Sequence, residues 1–316
     1  MRILLTGSNG FIGARVATDA LARGWEVVGV GRAAAPAGPV TSYVRHDLGE
    51  PFTLDEPVAA VVHAAGLATP WAAPAAYWRH NVEATANVLR WARAHGRPHV
   101  LYVSSSSVFY TSADQFGITE RTPIPSRQIN DYSRTKLAGE RLTRGYPGDW
   151  AVLRPRAVFG VGDTVLLPRV VAAARRGVLP RLARRDGRRV QADLTPVATV
   201  SHYLLEAVAR RFTGDLNLTN GEHVELDPFV DDVLGRLGVA PRRPRVPVGL
   251  ALALAGLGEW RSARFGGYAE PPITRYGISM FATSKTFDPA AVQAALGPPP
   301  VTVAATVAEL VGDGRG

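Results

Sequence analysis

The chain contains no cysteine among its 316 residues, which excludes disulfide bonds, thiolate nucleophiles and cysteine-ligated metals. Long hydrophobic runs are also missing. The longest, Val248 to Leu257, is about half of the ~20 residues that cross a bilayer. The N-terminal residues lack the apolar region and small-residue cleavage site of a secretory signal. We therefore expect no membrane span, no metal site and a cytoplasmic location.

Lysine is nearly absent, because only Lys136 and Lys285 stand among the 36 basic residues. Arginine therefore carries the net charge of +9. The densest stretch, Arg169 to Arg189, holds eight arginines and one acidic residue, Asp186, but no aromatic residue. Surfaces that bind nucleic acids interleave basic and aromatic side chains. This stretch favours a solvated face, leaves an anion-binding rim for a small-molecule substrate open, and argues against a nucleic-acid partner.

Short β-branched runs alternate along the chain with longer segments whose apolar residues recur at helical spacing. The predicted helices are Phe11 to Arg23, Pro74 to His95 and residues 129–144, and the predicted strands are Arg2 to Thr6, Glu26 to Val30, Ala59 to His63, Val100 to Val103 and Ala151 to Leu153. This alternation requires right-handed crossovers. The predicted fold class is α/β, a doubly wound parallel (Rossmann) sheet with a smaller, discontinuous C-terminal substrate domain.

The division into domains follows from where this alternation weakens, after Arg154-Pro155. Leu216 to Leu218 can return to the main sheet as a strand. We expect residues 1–155 and about 190–220 to form the dinucleotide-binding domain. Residues 156–189 and 221–316 are then expected to form a substrate-binding cap.

Three glycines, Gly7, Gly10 and Gly13, lie between the first predicted strand and the first predicted helix. A nucleotide pyrophosphate binds at such a helix N-terminus, where glycine allows close approach of the backbone. The second strand ends in Gly31-Arg32, where an NAD enzyme carries a carboxylate for the ribose 2′-hydroxyl. Because a guanidinium suits a 2′-phosphate, we predict NADP(H) rather than NAD(H).

Tyr132 and Lys136 are four residues apart in the predicted helix 129–144, so both side chains lie on one face. A phenol is a poor proton donor or acceptor at neutral pH, and a neighbouring ammonium is expected to lower its pKa. The run Ser104 to Ser107 follows a predicted strand at the edge where open α/β sheets bind ligands. A hydroxyl there can hold a substrate oxygen beside Tyr132.

Together these residues resemble the extended short-chain dehydrogenase/reductase superfamily, the NAD-dependent epimerase/dehydratase family. The resemblance covers essentially the whole chain and is nearest to its 3β-hydroxysteroid dehydrogenase-like branch, which includes 2-alkyl-3-oxoalkanoate reductases. The branch resemblance rests on Ala68 to Trp71, Thr164 to Arg169 and Glu270 to Gly277. The family motifs are Thr6 to Gly13, His46 to Leu48, Val61 to Gly66, Asn81-Val82-x-x-Thr85, the serine run, Tyr132-x-x-x-Lys136 and Leu153 to Gly160.

The resemblance implies the roles of residues that the spacing alone does not assign. It selects Ser105 from the serine run as the catalytic hydroxyl, because Val108 follows three residues later. Ser105, Tyr132 and Lys136 are then the catalytic residues, and Tyr132 and Lys136 also contact the cofactor. The further cofactor-binding residues that it implies are Phe11, Ile12, Asp47, Leu48, Ala64, Ala65, Gly66, Asn81, Pro155, Ala157 and Val158.

The resulting hypothesis is an NAD(P)-dependent oxidoreductase that interconverts a secondary alcohol and a ketone on an apolar substrate, a 3-oxo acid or a steroid-like ketone. A sugar-nucleotide epimerase or dehydratase with the same three catalytic residues remains an alternative, and a non-catalytic dinucleotide-binding redox sensor is a second one. Analogy with relatives suggests a homodimer through the helices 79–95 and 129–144. Candidates for an apolar pocket are Trp71, Phe109, Trp260, Phe265, Tyr268 and Tyr276.

Overall fold

The computed structural model describes residues 1–163 and 167–313, so residues 164–166 of the stretch Thr164 to Arg169 lie outside the description. The strands are β1 (Arg2–Thr6), β2 (Glu26–Gly31), β3 (Ser42–Arg45), β4 (Ala60–His63), β5 (His99–Val103), β6 (Gln115–Ile118), β7 (Trp150–Pro155), β8 (Val158–Phe159), β9 (Arg181–Ala183), β10 (Gln191–Asp193), β11 (Thr195–Pro196), β12 (Gly214–Leu218), β13 (His223–Glu225), β14 (Arg245–Pro247) and β15 (Lys285–Phe287). The helices are α1 (Phe11–Ala22), α2 (Pro74–Trp78), α3 (Ala84–Ala94), α4 (Asp131–Arg144), α5 (Leu167–Arg175), α6 (Val197–Ala209), α7 (Leu226–Arg236), α8 (Val248–Phe265), α9 (Arg275–Ala282), α10 (Ala290–Leu296) and α11 (Val303–Asp313).

The central sheet has seven strands in the order β12-β7-β5-β4-β1-β2-β3, and every neighbouring pair is parallel. From β1 the chain adds β2 and β3 on one side of the sheet, and it then adds β4, β5, β7 and β12 on the other side, so the order reverses between β1 and β4. Open α/β sheets bind ligands in the crevice at the carboxyl ends of the strands at such a point. The predicted doubly wound parallel sheet is confirmed.

Both faces of this sheet are covered, which explains why its inner strands are apolar without alternation. One face packs against α1, α6 and α10, and the other against α3 and α4. Strands β4 and β5 are buried along their whole length. Burial of a Leu or Val side chain stabilises the fold by roughly 1.5–3 kcal/mol. The two core layers therefore fix the sheet edge on which the candidate site is built.

A second sheet combines strands that are far apart in sequence, in the order β13-β10-β15-β6. Strands β6 and β10 fall in the ranges expected for the dinucleotide-binding domain, yet they pair with the C-terminal β15. Helix α10, expected in the cap, places Val292 and Leu296 in the core of the main sheet. The chain thus crosses between the expected dinucleotide-binding domain and the expected cap more often than the alternation of strands and helices indicates. The domain boundaries stay a prediction.

The segment predicted as one helix from Pro74 to His95 contains a turn of π-helix, Arg79–Glu83, between α2 and α3. Turns of this kind are common at functional sites. This one carries Asn81, whose side chain is buried. Within the described ranges, no helix is both long and apolar enough to cross a membrane.

Candidate active site

The turn between β1 and α1 depends on glycine for its shape. Gly7 has φ +71°, and a Cβ added to Gly13 would lie 2.1 Å from the Gly7 carbonyl oxygen. Gly10 precedes α1 without a side-chain cap, and the first helical turn has no acidic residue. The backbone N–H groups of Phe11 and Ile12 have no intrahelical acceptor, as at the start of any helix. They form the positive end of the helix dipole. This arrangement can bind a pyrophosphate.

A cleft of about 320 Å³ opens above this turn, within the size range of ligand pockets. The expected cofactor residues that line it are Gly7, Gly10, Arg32, Asp47, Leu48, Ala65 and Gly66. The sequence reasoning did not select the other lining residues, which are Asn9, Val30, Gly31, Ala33, His46, Leu67, His80 and Ala84. Several are direct neighbours of selected residues, which is the signal that could have found them.

The remaining expected cofactor residues border the cleft or the core beneath it. Ile12, Ala64 and Val158 pack against the core of the main sheet. Asn81 is buried and accepts the Leu67 N–H at 2.7 Å, so it supports the cleft wall. Gly13 is buried inside the glycine turn, Phe11 lies near Gly162, Pro155 ends β7, and Ala157 follows with φ 37°. Their contact with a cofactor stays a prediction.

One end of the cleft is lined by the guanidinium of Arg32 and the imidazole of His80. Arg32 is exposed, and its Nη1 lies 3.5 Å from the His80 Nε2. The pKa of Asp47 is lowered because its carboxylate accepts the Gly49 N–H and is paired with Arg79. Asp47 is thus held by its own neighbours, and the Arg32 guanidinium faces the cleft.

Only one hydroxyl of the serine run remains partly exposed, that of Ser105. The Ser104 hydroxyl donates to Glu140 at 2.6 Å, Ser106 is bonded to Tyr110, and Ser107 accepts from Ser133. Ser105 precedes a short 3₁₀ turn, Ser106–Phe109, and accepts the Ser107 N–H at 3.2 Å. The Ser105 hydroxyl donates to the Ser107 hydroxyl at 2.9 Å, and it is close enough to the Tyr132 phenol to act on the pKa of that phenol.

Helix α4 begins after Asn130, whose side chain accepts the Ser133 N–H at 2.8 Å. One turn into the helix, the Lys136 Nζ donates to the Val103 carbonyl at 2.6 Å and lies 4.5 Å from the centre of the Tyr102 ring. Burial lowers the pKa of Lys136 to about 7, and the Glu140 carboxylate opposes this shift. Lys136 thus stands at the end of β5 directly behind the cleft.

The pKa of Tyr132 differs from the expectation that Lys136 lowers it. Burial raises this pKa, and the hydrogen bond with Ser105 offsets only part of the rise. The physical reason is that a low-dielectric environment penalises the phenolate more strongly than its neighbours stabilise it. In the protein without a ligand, Tyr132 is therefore a protonated donor at neutral pH.

The aromatic residues proposed for an apolar pocket separate into three groups. Phe109 is completely buried in a core cluster, and Trp260 and Phe265 lie on the outer surface. Trp71 and Tyr268 form a tilted ring pair with centres 6.0 Å apart. Tyr276 is half-buried, and its phenol lies near those of Tyr110 and Tyr132, where burial raises its pKa. Of the six residues, Tyr276 is therefore the one that lies beside a candidate catalytic residue, Tyr132.

A sheet of this order with a glycine turn at its switch point defines a dinucleotide-binding enzyme fold. The sequence model of the NAD dependent epimerase/dehydratase family matches residues 3–216, and the chain belongs to this family. It is similar to the 2-alkyl-3-oxoalkanoate reductase of Stenotrophomonas maltophilia, with 31% identity over 87% of this chain and 88% of the relative.

Two further comparisons agree with this assignment. A ketoreductase of 4-hydroxy-2-methyl-3-oxo-4-farnesyl-3,4-dihydroquinoline-1-oxide from Stigmatella aurantiaca is 31% identical over 83% of this chain and 81% of the relative. The solved UDP-glucose 4-epimerase of Thermus thermophilus in complex with NAD has a TM-score of 0.75 at 21% identity, covering 100% of this chain and 99% of that one. The latter likeness shows the fold alone.

The lowered pKa of Lys136 makes the stability of the ligand-free protein depend on pH. An unfolded lysine binds its proton up to about pH 10.4, whereas folded Lys136 releases it near pH 7. Because the unfolded state then binds more protons, the free energy of unfolding should rise between about pH 7 and 10. Lys285 contributes in the same direction, since its pKa is lowered to about 8.

We expect Lys136→Met to reduce this rise with pH while Lys285→Met removes a smaller part of it. The measurement is urea unfolding at several pH values between these limits. A slope that Lys136→Met leaves unchanged would show that Lys136 is not the titrating group.

Proposed function

We propose that this enzyme is an NADP(H)-dependent oxidoreductase that interconverts a secondary alcohol and a ketone on an apolar substrate, a 3-oxo acid or a steroid-like ketone. The observation that supports this best is the contact between the Ser105 and Tyr132 hydroxyls, with Lys136 one helical turn further along α4. The proposal includes a cytoplasmic location, a homodimer and the expected division into a dinucleotide-binding domain and a cap.

The residues of the cleft fit a dinucleotide. The glycine turn offers unpaired N–H groups to the pyrophosphate, and Arg32 offers a guanidinium to a ribose phosphate. Gly66 lies between this turn and Lys136, since a Cβ added to Gly66 would be 3.6 Å from the Lys136 Nζ. When bound, the nicotinamide supplies or accepts the hydride.

The chain itself would handle the proton of the reaction. In the reducing direction, the Tyr132 phenol donates its proton to the carbonyl oxygen of the substrate while Ser105 donates a hydrogen bond to the same oxygen. The raised pKa of Tyr132 keeps the phenol protonated for this step. Glu140 favours the charged form of Lys136, and that ammonium would stabilise the phenolate that forms.

The reductase proposal is favoured over a sugar-nucleotide enzyme by the state of the arginine-rich stretch. Within the described residues, four of the eight arginines form pairs with carboxylates, which leaves Arg175, Arg176, Arg185 and Arg188 for a diphosphate clamp. These pairs are Arg169 with Glu270, Arg181 with Asp231, Arg184 with Asp114 and Asp186, and Arg189 with Glu225. The reductase and ketoreductase names of the relatives point to ketone chemistry as well.

Tyr132→Phe should lose nearly all turnover and keep cofactor binding, because the change removes the proton donor and leaves the glycine turn intact. Tyr146→Phe is a matched control, since its hydroxyl bonds to the Pro98 carbonyl far from the cleft. The measurements are steady-state rates and a fluorescence titration with NADPH. Turnover of Tyr132→Phe within threefold of the parent would exclude Tyr132 from the mechanism.

Arg32→Ala should weaken NADPH binding by about 10- to 150-fold, the effect of losing a charge-assisted hydrogen bond worth ~1.5–3 kcal/mol. NADH binding should change little, because NADH lacks the 2′-phosphate. Isothermal titration of both cofactors checks this. Arg90→Ala is the control, since Arg90 is exposed on α3 outside the cleft. Equal affinity of the parent for both cofactors would overturn the NADP assignment.

The substrate class is tested by offering two sets of compounds to the purified enzyme. We expect NADPH oxidation with long-chain 3-oxo acids or steroid ketones, and no thermal stabilisation by uridine or thymidine diphosphate. Stabilisation by either nucleotide, without NADPH oxidation on any apolar ketone, would favour the epimerase or dehydratase alternative.

A further inference from the structure

Helix α8 exposes a stripe of large apolar side chains. Leu250, Leu254, Leu257, Trp260 and Phe265 are between 52% and 72% exposed. Their spacing of three to five residues places them along one side of the helix, opposite the buried residues Ala251, Ala255, Glu259 and Ser262. Single exposed leucines are ordinary, but a continuous apolar stripe marks an interaction surface. We call these five side chains the α8 stripe.

The α8 stripe carries positive charge at its C-terminal end. Arg261 and Arg264 are exposed, and the Arg264 guanidinium lies 5.2 Å from the centre of the Phe265 ring. Trp260 packs edge-on against Phe265 with ring centres 5.6 Å apart. The acidic residue of the helix, Glu259, is buried and paired with Arg275. The surface therefore combines leucine, two aromatic rings and free guanidinium groups.

The same helix also contacts the segment that follows the cleft residue Leu67. The Ser262 hydroxyl accepts the Trp71 Nε1–H at 2.9 Å, and the Trp71 ring centre lies 6.0 Å from that of Tyr268, just beyond the end of α8. Glu270 in the following segment accepts from Thr69 at 2.9 Å. Ser262 belongs to the buried side of α8, so a surface that binds the α8 stripe would lie on the opposite side of the helix from Trp71.

We propose that α8 binds in the plane of an anionic lipid bilayer, with the α8 stripe among the acyl chains and Arg261 and Arg264 at the headgroups. This combination of apolar face, aromatic residues and arginine is typical of helices that lie in a membrane interface. A contact with a second copy is disfavoured because the α8 stripe of that copy would offer Arg261 and Arg264 no carboxylate, since Glu259 is buried and paired with Arg275. The proposal goes beyond the proposed function and concerns a different surface of the protein.

Vesicle flotation tests the proposal with the full chain and needs no turnover. We expect the protein to float with vesicles of phosphatidylcholine and phosphatidylglycerol at low ionic strength, and to bind phosphatidylcholine vesicles far more weakly. Leu254→Glu with Leu257→Glu should abolish flotation. Phe116→Glu with Val178→Glu adds the same charge at two other exposed apolar positions, and this control should still float.

Charge is tested separately with Arg261→Gln and Arg264→Gln. An arginine near an anionic surface contributes about fivefold in binding, so the double variant should bind phosphatidylglycerol vesicles roughly 25-fold more weakly. Trp260 provides a second readout, because its fluorescence should shift to the blue on binding and this shift should disappear in Trp260→Phe.

Three results would overturn the proposal. The first is no flotation with any vesicle at low ionic strength, and the second is undiminished flotation of the Leu254→Glu, Leu257→Glu variant. The third is a parent protein that does not bind vesicles and forms a dimer in analytical ultracentrifugation, when the Leu254→Glu, Leu257→Glu variant is a monomer. That result would assign the α8 stripe to a contact with a second copy. Loss of ketone reductase activity would leave all three measurements valid, so the two proposals fail separately.

Discussion

The carboxylate of Glu140 holds the candidate site together. It is completely buried and accepts from the Arg154 Nε and Nη2 at 2.8 Å, from the Ser104 hydroxyl at 2.6 Å and from Arg144 at 3.0 Å. Arg154 and Arg144 in turn bind Asp215. Removing one partner from such a pair costs about 3–5 kcal/mol, because a buried charge is left uncompensated. Glu140 thus anchors α4 to β5, β7 and β12, and with it Lys136 one turn away.

This anchor also governs the charge state of the site. Burial lowers the pKa of Lys136 and raises that of Tyr132, so both shifts favour neutral side chains. Glu140 is the carboxylate that opposes the loss of the Lys136 proton. Its negative charge is in turn compensated by Arg154. The bidentate pair of Arg154 with Glu140 therefore allows a carboxylate to be buried near Lys136 without an uncompensated negative charge. This explains why Glu140 and Arg154 occur together beneath the serine run.

Local spacing was sufficient to predict the glycine turn and the placement of Tyr132 and Lys136 one turn apart on a helix, because both depend on residues that are near in sequence. The fold class followed for the same reason, from the alternation of strands and helices. The effect of burial on the pKa of Tyr132 depends on distant segments and was not predicted. Ser104 and Arg154, two of the partners of Glu140, come from segments distant in sequence, so no sequence pattern indicates this cluster. His80 reaches the cleft through a turn of π-helix, which no sequence pattern indicates. Strands β10 and β15 have only three residues each, too few to show a period.

The arginines illustrate how the same residue type acquires different roles through burial and pairing. In the stretch Arg169 to Arg189, paired guanidinium groups join segments distant in sequence, as Arg184 does with Asp114. In the described part of the chain, Arg261 and Arg264 lie within 4.0 Å of no carboxylate and stand beside exposed aromatic rings. The amino-acid composition does not distinguish the paired arginines from the unpaired ones, because both contribute equally to the net charge. Pairing separates arginines that stabilise the fold from those left free to meet an external anion, and these two unpaired arginines accompany the exposed apolar surface of α8.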